Sequence, residues 1–257
     1  DGVALASVIS QYVSAILVVW HMMRLNDACK FRFRELRFHG DEVGRILGLG
    51  VPAGIQHMIF AIANLFIQAA VNSFDSTMVS GNAAAANTDT IIYNIMMAFY
   101  TACSTFMGQN WGAGHKKRMM DSYLISLFYA FAVAAVLGVA FYFAGRPFLY
   151  VFTNSADVVE AGMQRMKIMC FSYAISAFMD NTIAACRGLG RTIVPTVVVI
   201  MGSCVFRVIW VYTIFAHYHT IPSLYLLYAF SWTITAAAEI VYFLHCFRKL
   251  RLVPETA

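Results

Sequence analysis

The sequence predicts an all-α, polytopic membrane protein of about seven transmembrane helices, and three observations carry that expectation. Of the 257 residues, 60% are hydrophobic and only 12% are charged, whereas an ordinary soluble domain carries about a quarter charged residues. The apolar residues fall in uncharged runs longer than the ~18 to 20 residues that cross a bilayer as a helix. A globular core of this length would still need a charged shell, so lipid must be the solvent for much of the surface. Finally, most Lys and Arg residues cluster between the runs. In hydrocarbon each backbone amide must find its partner inside the chain, which selects helices.

Taken in order, residues 2–23 are uncharged and closed by Arg24, enough for a first span. The second covers residues 46–74 without one formal charge, and Pro52 with Gly48, Gly50 and Gly54 predicts a bent or flexible start. Asp75-Ser76 with Gly81-Asn82 reads as the turn that follows. The third span runs over residues 84–114, with Asp89 near its start, and the fourth over 122–145, stopped by Gly145-Arg146-Pro147. Asn154-Ser155-Ala156-Asp157 reads as a helix start in which a side-chain oxygen accepts from a free backbone N–H. The fifth helix is expected to lie partly at the interface through Arg165 and Lys167, then to enter lipid over 168–186 with Asp180 inside. The sixth span takes residues 192–216 and contains Arg207; the seventh takes 221–247 and contains Glu239.

The connections after spans one, three, five and seven hold fourteen of the eighteen Lys and Arg residues. The opposite connections hold Arg146, Arg165 and Lys167. Positive charge accumulates on the cytoplasmic side, so the expected orientation puts those four connections and the carboxy terminus in the cytoplasm, in a plasma (inner) membrane. The net charge of +5 does not point to nucleic acid, because the basic residues sit in short clusters between apolar runs and form no continuous stripe along the chain. Cys29, Cys103, Cys170, Cys186, Cys204 and Cys246 are scattered without CxxC spacing and read as small apolar residues, not as a disulfide framework or a zinc site. The chain opens Asp1-Gly2-Val3 with neither methionine nor a signal peptide, from which a start further upstream is expected.

Ionisable groups inside hydrocarbon cost roughly 2.5 to 3.5 kcal/mol on insertion scales, so they tend to face a cavity or a partner. Three are expected there: Asp180, Arg207 and Glu239. Helix rise puts Asp180 ~10 Å and Glu239 ~13 Å from the cytoplasmic ends of their spans, close enough to share a pocket, and Arg207 ~22 Å away from that side. As a functional group Asp180 would be a proton or cation site; as a structural one it would be a polar contact between helices. Glu239 reads more readily as a structural or snorkelling residue, and Arg207 as the organiser of a buried network. On the second span Gln56, His57, Asn64, Gln68 and Asn72 interrupt an apolar run, and the last three share a face, which fits a cavity lining or interhelical hydrogen bonding. His57 could relay protons, although a lone histidine is more often a satisfied core residue. His57, Asp180 and Glu239 sit on different helices without metal-ligand spacing, so no enzyme, metal or cofactor is expected.

Gly108-Gln109-Asn110-Trp111-Gly112-Ala113-Gly114, followed by His115-Lys116-Lys117-Arg118, resembles the glycine-rich cytoplasmic loop of multidrug and toxic compound extrusion (MATE) transporters. The likeness continues in Leu49-Gly50-Val51-Pro52-Ala53, in Arg187-Gly188-Leu189-Gly190-Arg191-Thr192 with Pro195, and in Gly2-Val3-Ala4-Leu5-Ala6 to Ser10-Gln11. It implies a twelve-helix protein of two six-helix lobes. Residues 1–24 would be the last helix of the amino-terminal lobe, 25–45 a basic cytoplasmic linker, 46–247 the six-helix carboxy-terminal lobe, and 248–257 a cytoplasmic tail. It further implies export of small organic cations or drugs in exchange for H+ or Na+, with the missing amino-terminal lobe and the bilayer as partners. Met179-Asp180 looks like the family's cation-site acid. Several members pair that acid with a glutamate where this sequence offers Gln56 and His57, so the resemblance leaves the coupling ion open. The alternatives are a lipid-linked saccharide flippase of the same broad superfamily and a non-transporting structural subunit.

Overall fold

The computed structural model describes residues 2–25 and 30–250, without the side chains of Val3 and Ala4. Asp1, Cys29 and the tail from Arg251 onward lie outside the described residues. Seven helices among those described are long and apolar enough to cross a membrane, and no strand accompanies them.

The chain divides into two compact units, Asp1–Ile46 and Leu47–Ala257. The first holds α1 (Gly2–Arg24), a 3-10 turn (Phe33–Glu35) and the start of α2 (Gly40–Val71). The Arg24 guanidinium sits 4.1 Å from the Trp20 ring at the end of α1. Arg32–Glu35 and Arg45–Glu42 form exposed pairs at 2.7 and 3.2 Å, each contributing about 0.5 kcal/mol or less in water.

The second unit holds the rest of α2, then α3 (Ser76–Gly112), α4 (Lys116–Leu149), α5 (Ala156–Gly188), α6 (Ile193–Tyr218) and α7 (Ile221–Lys249). Helix α5 is the centre of this unit: 67% of its most apolar stretch is buried, against 39% or less for the others. It packs against α3, α4 and α7. The shared core is built from Ile92, Met96 and Met107 of α3, Met119 and Ala130 of α4, Met169 and Ala177 of α5, and Leu227 and Phe243 of α7. Arg165 is not the interfacial anchor that the sequence suggests. Arg165 and Lys167 are two residues apart, hence ~200° apart around a helix; Arg165 turns inward and is 5% exposed, while Lys167 turns outward.

Glycines set the helix crossings, since small residues let backbones approach where no hydrophobic drive exists between helices. A Cβ on Gly81 of α3 would come within 2.7 Å of the backbone at Gly162 and Val158 of α5. One on Gly138 of α4 would collide with the Cys170 carbonyl. One on Gly188 of α5 would come within 2.5 Å of the Ser104 carbonyl and 2.6 Å of the Met107 Cβ on α3. Gly81-Asn82 therefore belongs to a helix crossing and not to the expected turn, and α3 begins earlier, where Asp75 accepts from the Met78 amide at 2.9 Å. Pro147 also fails to stop α4, which runs to Leu149; a proline withdraws one amide from the ladder, and the next turn closes with Tyr150 N–H donating to Arg146 at 3.1 Å. The start of α5 falls where expected, but Ser155 makes no side-chain cap bond. Pro52 lies inside α2.

Helix α6 contains two π-helical stretches, Ile200–Val205 and Val211–Phe215, flanking the α-helical Phe206–Trp210 that carries Arg207. Such wide turns re-aim side chains and recur at functional sites. The helix ends at His219, held in a left-handed conformation (φ 44°) with its ring 5.3 Å from Phe74 and 4.9 Å from Phe215. Thr220 and Ser223 then open α7 with a capping box. Cys103, Cys170, Cys186 and Cys204 are buried free thiols, and Cys246 is half-buried.

Candidate functional site

Two cavities meet inside the second unit. The larger, about 420 Å³, lies between α2, α3, α5, α6 and α7. The smaller, about 270 Å³, lies toward the Gly112 and Gly188 ends of α3 and α5 and is lined there by Ser104, Thr105 and Arg187. Gln56, His57, Tyr93 and Asp180 border both. Asp180 thus stands where the two spaces adjoin. Among the described residues no hydrogen bond or ion pair engages its carboxylate, and the charges that act on it through space belong to Arg187 and Arg207.

Helix α2 contributes a polar wall. Gln56, 6% exposed, accepts from Arg187 Nη2 at 3.0 Å and from Thr196 Oγ1 at 3.3 Å, tying α2 to α5 and α6. His57 is exposed and borders both spaces, so it is not a satisfied core residue. Asn64 and Gln68 line the larger cavity, and Gln68 Nε2 donates to Asn72 Oδ1 at 2.8 Å. Aromatic side chains complete the lining: Tyr225, Tyr228 and Trp232 of α7, Phe60 of α2 and Tyr93 of α3.

Arg207 reaches this cavity from α6 and is 2% exposed. Its Nε donates to Ser231 at 3.1 Å, and its guanidinium lies 4.4 Å from the Tyr228 ring and 5.6 Å from those of Phe60 and Trp232. Glu239 is placed differently from the sequence reading. It is fully buried, lines neither cavity, and both carboxylate oxygens lack hydrogen-bond partners among the described residues. Full burial excludes snorkelling, and the charge that acts on the carboxylate through space is that of Arg187.

A second polar cluster was not legible in the sequence. Asp89 of α3 accepts from Arg165 and from the Tyr173 hydroxyl, both on α5. Arg165 Nη1 also donates to the Asn82 carbonyl at 3.0 Å and to its Oδ1 at 3.1 Å, and the Tyr225 hydroxyl of α7 donates to the same Oδ1 at 2.7 Å. These five side chains from three helices all line the larger cavity, and none lines the smaller. The signal available was the pairing of one acid with one base inside apolar segments, but they stand 76 positions apart.

The glycine motifs lie at helix ends more than in loops. Gly108, Gln109 and Gly112 belong to the last turns of α3, and only Gly114, at φ +74°, makes the turn. A Cβ on Gly108 would sit 3.4 Å from the Gly188 carbonyl, and Trp111 covers Gly190, whose φ is +69°. The two motifs pack on each other because a tight α3–α5 crossing requires them to be bare.

The MatE family model matches residues 52–213. The chain is 28% identical over 172 residues to the probable multidrug resistance protein YpnP of Bacillus subtilis (strain 168), covering 67% of this chain and 38% of that protein. It is 24% identical over 165 residues to the FAD transporter of Shewanella oneidensis, covering 62% and 35%. Among solved structures, an outward-facing multidrug resistance MATE family transporter of the MOP superfamily superposes with a TM-score of 0.85 at 18% identity, covering 95% of this chain and 55% of that one. A MOP superfamily transporter from Pyrococcus furiosus Vc1 gives 0.85 at 17%, covering 95% and 56%. At those identities the likeness is one of fold, and the chain spans about half the length of these transporters. With the family model matching more than half of its residues, this chain belongs to the MatE family.

Proposed function

We propose that this chain is the carboxy-terminal lobe, preceded by the last helix of the amino-terminal lobe, of a plasma-membrane antiporter that exports amphipathic organic cations in exchange for H+ or Na+. Residues 46–247 form the lobe, 25–45 the cytoplasmic linker, and the carboxy terminus faces the cytoplasm. Asp180 is the coupling residue. The observation that carries this reading is its position between the two cavities without a hydrogen-bonding or ion-pairing partner among the described residues. A carboxylate so placed can exchange a small cation, while the aromatic lining and the negative charge suit an organic one. Alternating access then follows if the two lobes rock so that each space opens in turn. The chemistry is binding and release; no side chain is assigned a catalytic role.

A lipid-linked saccharide flippase stands second. A pyrophosphate would call for several free basic groups in the cavity, whereas Arg165 is engaged by Asp89 and Asn82. The test uses the intact protein in proteoliposomes. Asp180→Asn is expected to abolish ion-driven flux of tetraphenylphosphonium while expression and melting temperature hold. Flux by that variant at the wild-type rate would remove Asp180 from the mechanism.

A further inference from the structure

Arg207 brings to the cavity a positive charge that no ion pair meets among the described residues. It is 2% exposed, it forms none of the ion pairs among the described residues, and its Nη2 has no hydrogen-bond partner among them. One side-chain donor is satisfied, by Ser231. The three rings around it attract a cation by their faces but cannot accept two in-plane N–H bonds as an oxyanion does. Its position is also fixed from outside: the π-helical turns on either side set its angle, and Trp210 Nε1, one turn on, donates to the Ser223 carbonyl of α7 at 2.7 Å. Arg165 supplies the contrast in the same cavity, since its charge is met by Asp89.

We propose that Arg207 is an anion-binding subsite of the larger cavity, taking a carboxylate or phosphate-type oxyanion attached to an aromatic body that rests against Tyr228 and Trp232. This rests on reading that cavity as the place where cargo binds. The oxyanion could arrive on a small aromatic molecule or on a lipid headgroup. Asp180 acts on Arg207 through space, so a negative charge there opposes an anion in the cavity, and the cation and anion subsites are coupled.

The test is calorimetric titration of the intact protein in micelles of a non-ionic detergent, with protein-free micelles subtracted. The probes are 1-naphthoate and 1-naphthamide, which share a ring system and differ in charge. Wild type is expected to prefer naphthoate by about tenfold, the strength of a charge-assisted hydrogen bond. Arg207→Gln should erase the preference, Arg207→Lys should keep part of it, and Lys167→Gln, which removes a positive charge from an outward-facing position away from either cavity, should leave it intact. Should both Arg207 variants fail to fold, the wild-type ratio still decides: equal binding of the two probes overturns the proposal, as does loss of the preference in Lys167→Gln. Added phosphatidylglycerol that displaces naphthoate from wild type identifies the occupant as a headgroup; no displacement identifies a free aromatic anion. Asp180→Asn should tighten naphthoate, and a weakening there counts against the subsite. Because that variant keeps Arg207, loss of its cation flux with retained naphthoate binding separates the transport reading from this one.

Discussion

Replacing Asp89 by asparagine removes the charge that faces Arg165 and leaves the rest of the cluster in place. Arg165, with 6% of its side chain accessible, would keep its two bonds to Asn82 at 3.0 and 3.1 Å, while its Nε already lacks a hydrogen-bond partner among the described residues. Stranding one member of a buried pair costs about 3 to 5 kcal/mol. Asp89 keeps 32% of its side chain accessible, and Tyr173 can still donate to an asparagine oxygen, which places the loss nearer the lower end, at about 3 kcal/mol. The reverse change, Arg165→Gln, strands a carboxylate that water in the cavity can reach, and about 1 to 2 kcal/mol is expected. The double variant should recover stability relative to the sum, with a coupling energy above about 1.5 kcal/mol. Equilibrium unfolding of the purified protein in mixed micelles, followed by circular dichroism, measures all three. An Asp89→Asn loss below that of Arg165→Gln, or additivity in the double variant, would refute the assignment of a mutually dependent pair.

Other perturbations probe the packing. Gly188→Ala forces a methyl against the Ser104 carbonyl and the Met107 Cβ, and should cost about 1 to 3 kcal/mol as overpacking, lowering the melting temperature. Gly54→Ala on α2 meets nothing within 4 Å and should be neutral or stabilising by up to about 1 kcal/mol in the same assay. Gln56→Leu deprives Arg187 and Thr196 of their shared acceptor and should destabilise by about 1 to 3 kcal/mol, with unfolding in mixed micelles as the readout. Thiol labelling in detergent should modify Cys246 well before Cys103, Cys170, Cys186 or Cys204, read by mass spectrometry of the modified peptides.

The spans were legible because their signal is additive: long uncharged runs have one explanation, whatever the neighbours. Errors gathered where neighbours decide. Gly81-Asn82 has the composition of a turn, yet Gly81 faces the backbone at Gly162 and Asn82 holds Arg165, both fixed by a helix far along the chain. Charge alone makes Arg165 and Lys167 an interfacial pair, whereas their helical phase turns one inward and the other outward. Distance to the chain end alone gives Glu239 room to snorkel, whereas the packing of α5 and α7 leaves it none. The π-helical turns of α6 could not be read from residues 193–218, where Arg207 is the one Lys, Arg, Asp or Glu and the apolar pattern is too uniform to show a change of phase. Asp180 and the polar face of α2 were legible as candidates, because polar groups in hydrocarbon are conspicuous. Their convergence on two adjoining cavities required the fold.

The most direct test of the coupling role given to Asp180 is ion displacement. Tetraphenylphosphonium added to the intact, detergent-solubilised protein should release a bound proton, read by a pH indicator in weak buffer, or a bound sodium ion, read with radiolabelled sodium. Asp180→Asn should release neither. Binding of the organic cation with no ion released from wild type, or with the same release from the variant, would contradict the account.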